Sequence, residues 1–194
     1  MTSTRLEEPT ASRRLLWQVP LALALAALAI WVVGARPILA PVLYLTAVSG
    51  ELCRVDIREH RLPNTLVLPG YVFAAVGLVW EWLAGAAVPG VTLSVPLWMP
   101  LLSGGAYLAF LLVLNLAGGM GMGDVKLAGV LGLALGALGV VPSIAGPVLG
   151  FVSGGVAGLA AVIAPNLSTW GRIPFGPFML FGFWAAVALA EKTA

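Results

Sequence analysis

The chain has 194 residues, of which 60% are hydrophobic and 9% charged, with a mean hydropathy of +1.03. A soluble domain is about a quarter charged and about half apolar, so this composition excludes a soluble globular domain and a disordered chain, and it calls for lipid around much of the surface. The formal charge is only +2, ten Lys and Arg against eight Asp and Glu, with the basic residues scattered between apolar runs, which excludes a nucleic-acid-binding face.

Charges divide the chain into uncharged runs at 15–35, 37–50, 62–80, 82–123, 127–171 and 173–190. A membrane-crossing helix needs about 20 mostly apolar residues, so the two longest runs each hold two spans. The reading is an all-α, polytopic membrane bundle of about seven helices. Residues 1–14 form a polar cytoplasmic tail, and 15–194 form one membrane-embedded unit. The first helix, 15–34, follows Arg13 and Arg14, and its run is longer than the roughly 7–15 apolar residues of a secretory signal, so it reads as a retained anchor. The second, 38–54, is short and tapers into charge. The third covers 65–84. The fourth, 97–117, is opened by Pro96 and Pro100. The fifth and sixth, 124–141 and 146–164, are separated by a break at Pro142 and Pro147. The seventh covers 175–190. Gly129, Gly132, Gly136 and Gly139 in the fifth helix, and Gly146, Gly150, Gly154 and Gly158 in the sixth, read as sites of close helix packing within the bundle.

With the N-terminus in the cytoplasm, Arg5, Arg13, Arg14, Arg54, Arg58, Arg61, Lys126 and Arg172 fall inside, and only Arg36 and Lys192 outside. The positive-inside rule selects that orientation. Trp31, Trp80, Trp82 and Trp98 then gather at the outer boundary, and Trp17 and Trp170 near the inner one, as interfacial aromatics do.

Ionisable groups near a membrane core are costly and invite a functional reading. Glu7 and Glu8 belong to the tail, Glu191 is terminal, and Glu81 between two tryptophans reads as solvated at the outer boundary. Glu51 pairs with Arg54 or Arg58, or else lines a site. Cys53 stands alone, so it can form neither an internal disulfide nor a thiolate metal cluster, and reads as a small apolar residue at a helix end. His60 is also alone, so a metal site would have to rest on carboxylates; no metal or cofactor is implied.

Two aspartates remain. Asp56 lies at the cytoplasmic end of the second helix and Asp124, in Gly121-Met122-Gly123-Asp124, at the cytoplasmic start of the fifth. Two crossings separate them, so both share one membrane depth, and they meet if helices two and five are neighbours. Two facing carboxyls can share a proton. One then acts as base on a water while the other donates to a peptide carbonyl, which is peptide hydrolysis without metal or covalent intermediate. Gly121 and Gly123 lack side chains, leaving room for an extended substrate backbone. Lys126 either acts on Asp124 by its charge or snorkels to the interface. Pro63 shapes the start of the third helix and Asn64 serves as its N-cap. Phe175-Gly176-Pro177 sets entry to the last helix or lines the cleft. The glycine run 118–123 is no phosphate loop, because it follows an apolar span and lacks the required spacing.

Three stretches resemble the type IV prepilin peptidases, membrane aspartic proteases of the Gly-x-Gly-Asp class. They are Asp56 with Arg61-Leu62-Pro63-Asn64-Thr65-Leu66, Gly119-Met120-Gly121-Met122-Gly123-Asp124-Val125-Lys126-Leu127, and Ile173-Pro174-Phe175-Gly176-Pro177-Phe178. The resemblance covers about residues 38–190 and implies that Asp56 and Asp124 are the catalytic pair. It implies prepilins and pseudopilins as substrates. Their short basic leader would be cut after a glycine on the cytoplasmic side of the bacterial inner membrane, just before an apolar helix. Glu51 and Glu59 would then attract the leader. Many members also carry a domain with two Cys-x-x-Cys pairs and methylate the new N-terminus, so a chain with one cysteine is expected to cleave without methylating. A presenilin-like protease is less well matched, because Val55 stands where such enzymes have tyrosine. A proton-coupled transporter using the two aspartates as a relay would need them nearer mid-membrane.

Overall fold

The computed structural model describes residues 11–87, 95–163 and 174–190. Among these there are seven helices and no strand: α1 (Ala11–Val33), α2 (Leu39–Glu59), α3 (Asn64–Ala87), α4 (Trp98–Leu116), α5 (Met122–Leu138), α6 (Val140–Ile163) and α7 (Gly176–Leu189). The fold is the all-α helical bundle that composition demanded. α3, α4 and α6 are long and apolar enough to cross a bilayer by themselves; Trp17–Val33 and α7 are apolar but shorter. Most of the expected tail lies outside the described residues, as do Trp170, Arg172, Glu191 and Lys192, and α1 already begins at Ala11.

Two boundaries differ from expectation, each for a local reason. α2 runs on to Glu59, so Asp56 sits in its last turn instead of beyond it. The helix closes on His60, which takes the left-handed conformation (φ 52°) and donates its N–H to the Asp56 carbonyl at 2.9 Å. This C-cap position usually goes to glycine. Between α5 and α6 there is no proline break. Gly139 alone (φ 123°) turns the chain, Pro142 falls in the first turn of α6, where its missing N–H costs nothing, and Pro147 is carried inside the helix.

α5 is the central post. It is buried from Val125 to Leu138 apart from Lys126 and Leu133, and it packs on α3, α4, α6 and α7. Lipid gives apolar side chains no reason to leave it, so contact between spans depends on close backbone approach. The glycine ladders provide this. A Cβ on Gly132 would stand 2.7 Å from the Cα of Gly104 on α4, and one on Gly182 of α7 would stand 2.8 Å from the Cα of Gly150 on α6. α7 also lies against α2, where the Trp184 indole N–H donates to Ser49 Oγ at 3.0 Å.

At the opposite end from Asp56, Trp31, Trp80 and Trp98 are exposed, as an interfacial belt requires. Glu81 is not merely solvated there. It forms an ion pair with Arg36, and its second oxygen accepts the Ile38 N–H at 3.3 Å, tying α3 to the α1–α2 connection. Glu51 is likewise engaged: Gln18 Nε2 donates to it at 2.9 Å and Arg54 Nε at 2.8 Å, joining α2 to α1.

The glycine contacts predict a contrast in thermal unfolding of the detergent-solubilised protein. Gly132→Ala, with only α4 backbone in front of it, should lose about 1–3 kcal/mol. Gly105→Ala, whose Cβ would meet nothing within 4 Å, should leave the melting temperature unchanged or slightly raised.

Candidate active site

α2 and α7 lie side by side in a fixed register. Ser49 and Asp56 are two helical turns apart on one face of α2. Ser49 meets Trp184 of α7, while Asp56 meets the start of that helix. The first turn of any α-helix leaves N–H groups without partners. Phe175, at the N-cap of α7, offers no capping side chain, and Pro177 has no N–H to satisfy. Asp56 supplies the cap from another helix, its Oδ2 accepting the buried Gly176 N–H at 2.8 Å. Asp56 is only 5% exposed. A side chain on Gly176 would collide with it, since a Cβ there would lie 2.8 Å from Asp56 Oδ2.

Asp124 has a parallel arrangement at the start of α5. Its Oδ2 accepts the Gly121 N–H, three residues earlier, at 3.2 Å. The turn before it is shaped by Gly118 (φ 81°) and by Asn115, whose side-chain amide donates to the Met120 carbonyl at 2.7 Å. Both acids therefore lie at helix N-termini, where unpaired N–H groups and the helix dipole favour negative charge.

The two acids open into one cavity of about 430 Å³, lined also by His60, Gly118, Gly119, Met120, Gly121, Gly154, Pro174 and Phe175. Asp56 is close enough to Asp124 to act on it electrostatically. A second opening of about 300 Å³ shares Asp56, His60, Gly121 and Asp124, and adds Arg61, Leu62, Asn64, Met122, Gly123 and Lys126. The pair thus stands between two openings, of which the second adds the basic side chains of Arg61 and Lys126. Space for water and a peptide backbone adjoins both carboxyls. Among the described residues, no three His, Cys, Asp or Glu side chains gather as a metal site would need.

Of the residues singled out from sequence, Asp56, Asp124, Gly121, Gly123, Asn64 and Lys126 come together here. Several do so differently from expectation. Asn64 is no N-cap; its Oδ1 accepts from Lys126 Nζ at 3.0 Å, which clips the start of α3 to α5. Lys126 is held by that bond and not by Asp124. Pro63 does shape the start of α3, its carbonyl accepting the Leu66 and Val67 N–H groups at 3.0 and 3.2 Å. Gly123 does not offer its bare face to a substrate: a Cβ there would sit 2.9 Å from Leu62 Cβ, so the α2–α3 connection occupies that space. Gly121 is exposed and borders both openings. Glu51 lines neither opening and is spent on Gln18 and Arg54. Gly176 and His60 are the residues that sequence reasoning undervalued. The signal for Gly176 was a helix opening on Gly-Pro with no Ser, Thr, Asp or Asn before it, which needs a cap from elsewhere.

A family model described as the type IV leader peptidase family matches residues 43–190. The chain is also similar to a prepilin leader peptidase/N-methyltransferase of Pseudomonas putida, with 31% identity over 165 residues, 84% of this chain and 54% of that protein. It thus spans about half the length of the curated relative it matches. No solved structure gives a significant match. The matched region contains Asp56, Asp124 and Gly176 together with the helices that bring them into one cavity, and the chain belongs to the type IV leader peptidase family.

Proposed function

We propose that this chain is an aspartic endopeptidase that removes the basic leader of type IV prepilins or pseudopilins. The observation that carries the reading is the opening of Asp56 and Asp124, from two different helices, into one cavity with each carboxyl anchored on a helix N-terminus. Membership of the family supports the same substrate class. The charge distribution supports an N-terminus and active site facing the cytoplasm, with 15–194 as the membrane-embedded unit in a bacterial inner membrane.

In the proposed reaction, a water lies between the carboxyls. One carboxylate takes a proton from it as the oxygen attacks the scissile carbonyl carbon. The other, protonated, donates to the carbonyl oxygen, giving a neutral tetrahedral gem-diol. Collapse breaks the C–N bond, and the amine leaves with a proton from the first carboxyl. The hydroxyl proton returns to the second, so the pair ends with the single proton it began with. The backbone N–H donors on Asp56 and Asp124 hold both acids in position for these transfers. These 194 residues contain one cysteine, Cys53, so the paired Cys-x-x-Cys motifs of methylating members have no counterpart in them, and cleavage alone is assigned to them.

The direct test is purified protein with a candidate prepilin. Asp56→Asn and Asp124→Asn should each lower cleavage by about 10³-fold or more while the protein stays folded; cleavage at the wild-type rate in either variant would reject the pair. Gly176→Ala should reduce kcat by about 10²-fold with little change in KM, because a displacement of well under an ångström at Asp56 spoils the alignment. Mass spectrometry of the pilin product, formed in the presence of S-adenosylmethionine, should find an unmethylated N-terminus.

A further inference from the structure

An apolar trough runs along the lipid-facing side of the bundle between α4 and α6. These helices are each packed closely on a neighbour, α4 on α5 and α6 on α7, yet touch one another only lightly. The gap encloses about 480 Å³, walled on α4 by Trp98, Leu102, Ala106 and Phe110 and on α6 by Ile144 and Pro147, with no charged side chain among its lining. On α6 the stripe continues at helical spacing through Phe151 to Gly154, and Gly154 already lines the cavity that holds the two aspartates. On α4 the wall passes Phe110 and reaches Gly118 and Gly119, which line the same cavity. Between the two spaces the rings of Phe110, Phe151 and Phe175 stand in sequence, with centroids 5.3 and 5.0 Å apart.

We propose that this trough receives the apolar helix of the substrate, so that the peptide bond just preceding that helix comes to rest at Asp56 and Asp124. The inference rests on the peptidase reading above and adds the docking surface that reading lacks. The occupant follows from continuity and depth. From Trp98 to Leu116 α4 extends about 28 Å at 1.5 Å per residue, close to the thickness of the hydrocarbon core. A ligand that fills such a length and also delivers a peptide bond to one end is a membrane-embedded apolar helix. Ala106 on the α4 wall is small and exposed, which allows close approach of another backbone.

The test uses the full chain in lipid nanodiscs with two substrates: an intact prepilin, and a peptide that stops a few residues beyond the scissile bond. Ala106→Trp, which fills the trough, should lower the ratio of kcat/KM for intact prepilin to that for the peptide by 10-fold or more. Val156→Trp, exposed on another face of α6, should leave the ratio within two-fold of wild type. A photoreactive residue at Leu102 should crosslink to the prepilin helix, and one at Val156 should not. An unchanged ratio for Ala106→Trp, or crosslinks from Leu102 to lipid alone while the enzyme still cuts, would overturn the docking site and leave the peptidase reading standing. Failure of the wild-type chain to cut either substrate would remove that reading and the docking proposal with it.

Discussion

The arrangement depends on a buried carboxyl meeting an unfinished helix. α7 starts inside the protein on Gly-Pro with no capping side chain of its own, and Asp56 is almost wholly removed from solvent. Either feature alone would be unfavourable: a helix end without partners for its N–H groups, or a buried acid without a donor. Placed together at 2.8 Å they satisfy one another. The contact also fixes what each helix does next. α7 can start only where Asp56 is, and Asp56 can point only where α7 starts. The Ser49–Trp184 bond two turns away holds the same register, so the acid is located by the packing of a whole helix pair and not by one bond.

The second acid is positioned by a different route to the same end. Asp124 is fixed locally, by the turn that opens α5, and α5 is in turn fixed by glycine-mediated contact with α4 and by Tyr71, whose hydroxyl donates to the Lys126 carbonyl at 2.8 Å. One acid is thus set by long-range packing and the other by its own turn. Leu62 in the bare face of Gly123 brings the two arrangements together, because it presses the connection following Asp56 against the residue preceding Asp124.

This division explains what could be read from sequence. Helix number, the shared depth of Asp56 and Asp124 and the glycine contacts follow from one-dimensional quantities: run length, charge position and small-residue spacing. Partnership does not. Glu81 read as solvated because Arg36, its ion-pair partner, lies 45 positions away on another element. Asn64 read as a cap because its neighbour Lys126 belongs to a helix two elements later. Gly123 looked like room for a substrate because nothing in the pattern marked Leu62 as its neighbour. Gly176 was quoted in a matching motif, yet its donor role needed α7 to be seen beside α2. Local turn chemistry can also mislead when a less common solution is used, as at His60, where a non-glycine residue accepts a left-handed φ and lets α2 run past Asp56.

The two openings at the acids differ in chemistry, and on the proposed reading this bears on how a substrate lies. One side carries Arg61 and Lys126; the other is bordered by Gly154, Pro174 and Phe175, with the Phe110, Phe151 and Phe175 rings standing between it and the proposed docking trough. Of the two acids expected to attract a basic leader, Glu51 is already bound to Arg54, while Glu59 is exposed at the end of α2. On the proposed reading the leader's positive charge also acts before the enzyme is met, by keeping the leader on the cytoplasmic side as the same rule orients the enzyme itself. On the docking proposal, affinity comes from the apolar half of the substrate, and the scissile bond is selected by where charge gives way to helix. A trough that seats the helix and places its end at the two acids would read that boundary without contacting every residue around it.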